Sequence, residues 1–174
     1  MPTLAEINRQ IDAYQHGFIF WTKKEIKALP EILDHGESVK ALTSGFMNNN
    51  TWLAVCTERR IIFLNRGMFY GLRQVQVPID RIQAIDHEFT IFFGSIRVWD
   101  GASAFTISMV LKSSILPFVK VTQEQMQLAR KQAKSVAQPA ATDIASQLER
   151  LAVLKEKGHL TEEEFQAQKK KLLG

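Results

Sequence analysis

The spacing of apolar residues changes twice along the chain, marking three kinds of structure. Leu4, Ile7, Ile11 and Tyr14 recur at helical intervals, which predicts an amphipathic helix over residues 3–16. A second helix is predicted to open at Thr22. There, Thr22 and Glu25 have the spacing of a capping box, and Trp21 and Ile26 that of the hydrophobic staple across it. Pro30 predicts a break or a fresh first turn, and Gly36 a stop.

From Val39 the pattern shortens to β-rich runs separated by turn residues. The predicted strands are Val39–Met47, Thr51–Thr57, Arg60–Asn65, Arg73–Pro78, Ile82–Glu88, Ile91–Trp99 and Ala104–Met109. Asn48-Asn49-Asn50 tolerates positive φ, Gly67 and Gly71 bracket a loop, and Asp100-Gly101 is a hairpin signal. Closely spaced antiparallel strands of this kind build a sandwich or a partly open barrel.

Helical spacing returns after Lys112, where Phe118, Val121, Gln125 and Leu128 fall on one face and Pro117 is tolerable in a first turn. Ser135–Thr142 reads as a small-residue linker containing Pro139. A helical hairpin follows. Ile144, Leu148, Leu151 and Leu154 form its first apolar stripe, which ends at Gly158. Thr161 and Glu164 make a capping box stapled by Leu160 and Phe165, and Leu172 and Leu173 complete the second helix. The expected division is therefore an N-terminal helical arm (1–21), a β-rich domain (22–134), a linker (135–142) and a hairpin (143–174).

Composition narrows the function classes. The 174 residues are 45% hydrophobic, which suits a globular chain. The net charge of +4 arises from 22 basic and 18 acidic residues and is not gathered into one segment, so a nucleic-acid partner is not expected. Cys56 is the only cysteine and lies in a strand-like run, where a thiol behaves as a small hydrophobe. Glu6, Arg9 and Asp12 interrupt the pattern of a secretion leader, and no run approaches the ~20 apolar residues of a membrane span. A cytoplasmic protein is expected.

Two segments carry family resemblances. Thr57-Glu-Arg-Arg-Ile-Ile-Phe-Leu-Asn-Arg-Gly67, continued by Gly71-Leu72 and Pro78-Ile-Asp-Arg-Ile82, resembles the bacterial pleckstrin-homology domain of the YokE type. Lys24-Glu-Ile-Lys-Ala-Leu-Pro-Glu-Ile-Leu33 and Phe93-Gly-Ser-Ile96 are similar to the leading helix and a later strand of that family, so the likeness spans roughly residues 22–112. Leu148-Glu-Arg-Leu151, Leu154-Lys-Glu-Lys-Gly-His-Leu-Thr-Glu-Glu-Glu-Phe165 and the closing Lys-Leu-Leu173 resemble the short C-terminal domain called SHOCT. The resemblances imply an α+β chain. Its core would be a PH-like, partly open antiparallel β-barrel of about seven strands, with N-terminal helices, a capping C-terminal helix and a tethered two-helix hairpin. They imply no enzyme activity and suggest self-association.

No catalytic, metal or cofactor site is expected. His16, His35, His87 and His159 are dispersed without metal-ligand spacing, and neither a phosphate-cradling glycine loop nor a nucleophile elbow is present. Asp80, Asp86 and Glu88 read as turn or solvent carboxylates beside Arg81 rather than as an acid–base pair.

Three surfaces are candidates for binding. The loop Phe46-Met-Asn-Asn-Asn-Thr-Trp52 carries no cation, which argues against inositol-phosphate recognition there. Arg66, Met68, Phe69, Tyr70 and Arg73 form an apolar tip between arginines, suited to a membrane interface or a protein if exposed; Phe69 and Leu72 could equally fold back over a sheet edge. The hairpin residues Leu148, Leu151, Leu154, Leu160, Phe165 and Leu172 bury too little by themselves and call for a second surface. Lys169-Lys-Lys171 is read as a solvated face that complements the helix dipole. The leading expectation is a protein-interaction module that forms homo-oligomers, with peripheral membrane or anionic-ligand contact as the alternative.

Overall fold

The computed structural model describes residues 1–13, 22–67, 71–137 and 139–173. Two helices, α1 (Leu4–Ala13) and α2 (Lys23–Ile32), precede seven antiparallel strands. These are β1 (Val39–Met47), β2 (Asn50–Thr57), β3 (Arg60–Arg66), β4 (Leu72–Pro78), β5 (Ala84–Phe89), β6 (Phe93–Trp99) and β7 (Ala104–Leu111). They form one open sheet in the order β4-β3-β2-β1-β7-β6-β5. Helices α3 (Lys112–Ala137), α4 (Pro139–Glu156) and α5 (Glu162–Leu173) complete the chain. The chain divides into two compact units, Met1–Ala129 and Arg130–Gly174.

The first unit bends its sheet over a core. Ala54, Cys56, Ile61, Phe63, Ile85, Ile96, Val98, Ile107 and Val110 face inward, and Ile115, Phe118, Val119 and Met126 of α3 close over them. The buried row of α3 shares Phe118 with the predicted one, and Val121 packs half-buried against the core, but Gln125 is only half-buried and Leu128 is exposed. Ile115, Val119 and Met126 supply more apolar surface to the core than the face read around Leu128. Where β1 crosses to β7, Gly45 is required, because a Cβ there would lie 2.5 Å from the Ser108 carbonyl oxygen. The Asn48-Asn49 turn has φ of 50° and 60°, as the asparagines predicted, and closes the β1–β2 hairpin with two residues.

Both faces of β2 and β3 are covered. Leu53, Val55, Ile62 and Leu64 point away from the inner core and pack against Ile7 and Ile11 of α1 and against Leu29 and Leu33 in and just beyond α2. This explains the nearly continuous apolar runs Trp52–Cys56 and Ile61–Leu64, where a sheet with one wet face would alternate.

The N-terminal helix ends differ from expectation. Thr3 and Glu6 form an unpredicted capping box: the Thr3 N–H donates to Glu6 Oε2 at 2.7 Å, and the Glu6 N–H to Thr3 Oγ1 at 3.3 Å. Thr22 makes no side-chain cap. Glu25, which should have reached back to Thr22, instead accepts the Arg66 backbone N–H at 2.7 Å, because burial brings it against the end of β3. Trp21, the other half of the predicted staple, lies outside the described residues, as do Tyr14 and His16. Pro30 sits inside α2, and the helix ends after Ile32.

Apart from Gln138, which is outside the described residues, the predicted linker 135–142 is helical, in α3 and α4. Its alanines are the strongest helix formers, and Pro139 opens α4, where proline costs no hydrogen bond.

Candidate interaction surfaces

In the second unit the local signals are realised in detail. Gly158, at φ 73°, ends α4 in a Schellman motif: its N–H donates to the Lys155 carbonyl and the His159 N–H to that of Leu154. The Thr161 N–H donates to Glu164 Oε2 at 3.0 Å and the Glu164 N–H returns to Thr161 Oγ1 at 3.3 Å, completing the predicted capping box. These bonds hold the Glu164 carboxyl below its ordinary pKa. Lys155 pairs with Glu162 and lies 5.0 Å from the centroid of the Phe165 ring, tying the two helices together.

The described part of the hairpin shows no buried interior. From Gln147 to Leu172 no described side chain is buried. Leu148, Leu151, Leu160, Phe165 and Leu172 are half-covered, whereas Leu154 is 41% and Val153 45% exposed. Glu149, Arg150, Val153 and Leu154 line a shallow groove. The side chain of Ile144 is outside the described residues.

The loop of arginines and aromatics is only partly described. Met68, Phe69 and Tyr70 lie outside the described residues. Arg66 stands opposite Leu72, and Asn65 opposite Arg73, where β3 pairs with β4. Leu72, Arg66 and Arg73 are exposed.

The β1–β2 turn offers no anion cradle. Its polar groups turn on themselves: Asn50 Nδ2 donates to the Asn48 carbonyl at 2.8 Å, and Trp52 Nε1 to that of Met47 at 2.9 Å. A two-residue turn without a cation has neither the reach nor the charge to hold a phosphate group.

The conspicuous Thr57-Glu-Arg-Arg60 segment is structural. Glu37 is fully buried and receives a two-point contact from the Arg60 guanidinium, together with the Thr57 hydroxyl at 2.8 Å and the Asp34 N–H at 2.9 Å. Burial pushes the Glu37 carboxyl up, but the bonds from Arg60, Asp34 and Thr57 outweigh it and hold it below its ordinary value. Arg60 also donates to the Ile32 carbonyl, so one side chain fastens the end of α2 to β3. Cys56 is an inert core thiol, its pKa pushed up to about 12 by burial. Among the described residues, no group of three His, Cys, Asp or Glu side chains is arranged to hold a metal ion.

One surface went unread in the sequence. The run Phe89-Thr-Ile-Phe-Phe93 contains a turn: β5 ends at Phe89, β6 starts at Phe93, and Ile91 and Phe92 project from the tip. The expected strand from Ile91 to Trp99 absorbed two of its residues. The signal available was an apolar run too long for the space between two antiparallel strands, with no glycine, proline or asparagine to mark the turn.

Two known family models match separate parts of the chain. Residues 33–124 match the family model described as "Bacterial PH domain". The chain belongs to the bacterial PH-domain family. Downstream of this PH domain, residues 146–173 match the model "Short C-terminal domain". Both are families of non-catalytic modules, and together they support a binding or scaffold role. The structure is similar to a DUF1696 family protein with a pleckstrin-homology domain from Shewanella loihica PV-4, at 15% identity over 59% of this chain and 94% of that one, with a TM-score of 0.45. It is also similar to a pleckstrin-homology domain from Shewanella amazonensis SB2B, at 14% identity over 60% and 97% of the two chains, again with a TM-score of 0.45. No functionally curated protein matches the chain.

Proposed function

We propose that this PH-domain protein is a non-enzymatic interaction module whose C-terminal hairpin associates with a second copy of itself or with another protein. The observation that carries this reading is the absence of any buried side chain between Gln147 and Leu172, in a hairpin whose turn is nonetheless capped on both sides, at Gly158 and at Thr161. Caps define where helices stop, but they do not replace a core. A two-helix unit of this size buries too little apolar surface to be stable alone, so the stripe of Leu148, Leu151, Leu154, Phe165 and Leu172 gains most from a second apolar surface. Tethering raises the effective concentration of the hairpin near whatever the PH domain binds.

Size-exclusion chromatography with light scattering, on the full chain and on a chain ending at Ala137, tests this. The full chain is expected to exceed its monomer mass of 19.8 kDa at micromolar concentration, and the shortened chain to lose that excess. A monomeric full chain across the concentration series contradicts self-association.

A second reading, contact with a membrane surface or anionic ligand through the PH domain, is favoured by the exposed Arg66 and Arg73 at the β3–β4 end. No helix among the described residues is long and apolar enough to cross a membrane.

A further inference from the structure

We propose that the β5–β6 hairpin tip of the PH domain is a membrane-interface anchor that inserts Ile91 and Phe92 into the surface of an anionic bilayer. The site is separate from the hairpin at the C-terminus and from the Arg66–Arg73 loop, and the proposal does not depend on either.

Ile91 is 78% and Phe92 72% exposed, and they are consecutive at the end of a projecting turn. Phe89 and Phe93, also exposed, flank them, so Thr90 is the one polar residue among five and none is ionisable. Leu116 of α3 adds a further exposed apolar side chain one helical turn from Lys112.

The backbone of the tip is partly satisfied from within. The Phe93 carbonyl accepts both the Thr90 N–H at 2.7 Å and the Thr90 hydroxyl at 2.8 Å, and the Phe92 carbonyl accepts the Lys112 N–H at 3.0 Å. Polar groups that already have partners lower the cost of moving a turn out of water.

Charge is placed where headgroups would lie. Lys112 Nζ sits 5.5 Å from the centroid of the Phe89 ring, and Lys120 is exposed two turns further along α3. A lysine at the base of an apolar tip can keep its ammonium among phosphates while its stem follows the apolar surface. Strand alternation places the neighbouring Glu88 on the face opposite Phe89, away from Lys112.

A lipid surface suits this shape better than a protein strand or helix does. The feature is a projecting point rather than a groove, so it presents nothing for a helix to lie in. The adjacent sheet edge carries Asp86, His87 and Glu88 in succession, the charged pattern that discourages strand addition.

The test uses the full chain and sedimentation with vesicles of phosphatidylcholine and phosphatidylglycerol. Wild type is expected to co-sediment, and the double variant Ile91→Ser, Phe92→Ser to bind about tenfold or more weakly with an unchanged unfolding midpoint. Lys112→Gln should weaken binding to these vesicles but not to phosphatidylcholine alone. The light-scattering mass of the serine variant should equal that of wild type. Failure of wild type to bind, or equal binding by the serine variant, overturns the proposal. A serine variant that loses oligomer mass but keeps its vesicle binding identifies the tip as a protein interface and also overturns it. Phe92→Trp keeps the tip apolar and gives an independent readout: its added emission should be quenched by brominated acyl chains, and no added quenching overturns the proposal whatever the serine variant does.

Discussion

The PH domain and the C-terminal hairpin solve the same problem with unequal means. In the first, β2 and β3 are covered on both faces, and even a buried carboxylate, Glu37, has donors at both of its oxygens. In the second, the Gly158 stop and the Thr161–Glu164 start are both made, yet each described side chain from Gln147 to Leu172 keeps contact with water. Local chemistry sets the ends of helices, whereas stability comes from burial, which scales with the surface available to hide. A capped turn does not substitute for a buried core.

The contrast can be broken most forcefully in the PH domain. Phe63 is buried and stacks on Phe105 with ring centroids 5.9 Å apart. Phe63→Ala should cost about 4 kcal/mol in chemical denaturation, through lost contacts and a residual cavity. A loss near zero would mean that this core is loosely packed.

Next in size is the buried ion pair. Glu37→Gln should cost about 3 kcal/mol, because Arg60 loses its buried charged partner and keeps only the exposed Asp34. The carboxyl pKa is depressed in the folded state, so its stabilisation is present above the unfolded value and is lost as pH falls through the folded one. Wild type should therefore lose part of its stability below the ordinary carboxylate range, and the glutamine variant should lack that component. Parallel pH profiles for the two proteins would remove the role given to Glu37.

The hairpin should respond less and by itself. Phe165→Ala removes a half-buried ring that lies under Lys155, and about 2 kcal/mol is expected. Amide hydrogen exchange should show faster exchange over residues 144–173 and none of it in the strands. Coincident loss in both regions would deny that they are separate units. Thr161→Ala, which removes the capping hydroxyl, should cost the same segment about 1 kcal/mol. An unchanged exchange pattern would show that the cap contributes nothing there.

Much of this architecture was legible in the sequence, and the failures are instructive. The seven strands and the Asn48-Asn49 turn could be read because β-rich composition and turn chemistry are local. The hairpin's Gly158 stop and Thr161–Glu164 box are equally local. Glu25 was misassigned because its partner, the Arg66 N–H, is forty-one residues away, and spacing alone favoured nearby Thr22. The inward row of α3 was read correctly at Phe118 and Val121 but not at Leu128, because the sheet it packs against, not the helix, selects which face is buried. The β5–β6 tip was hidden for a different reason: an apolar turn looks like more strand when no turn residue marks it.

Whether the hairpin covers its apolar stripe with a second surface can be read at two of its exposed side chains. Val153 and Leu154 are already substantially exposed within the unit, so the double variant Val153→Asn, Leu154→Asn should leave the fold of one chain almost unaffected. Sedimentation equilibrium of the full chain and of this variant, each over a concentration series, separates association from folding. Wild type is expected to populate a species heavier than 19.8 kDa, and the variant, with unchanged helix content, to stay at that mass. Identical masses for the two proteins at every concentration would contradict this expectation.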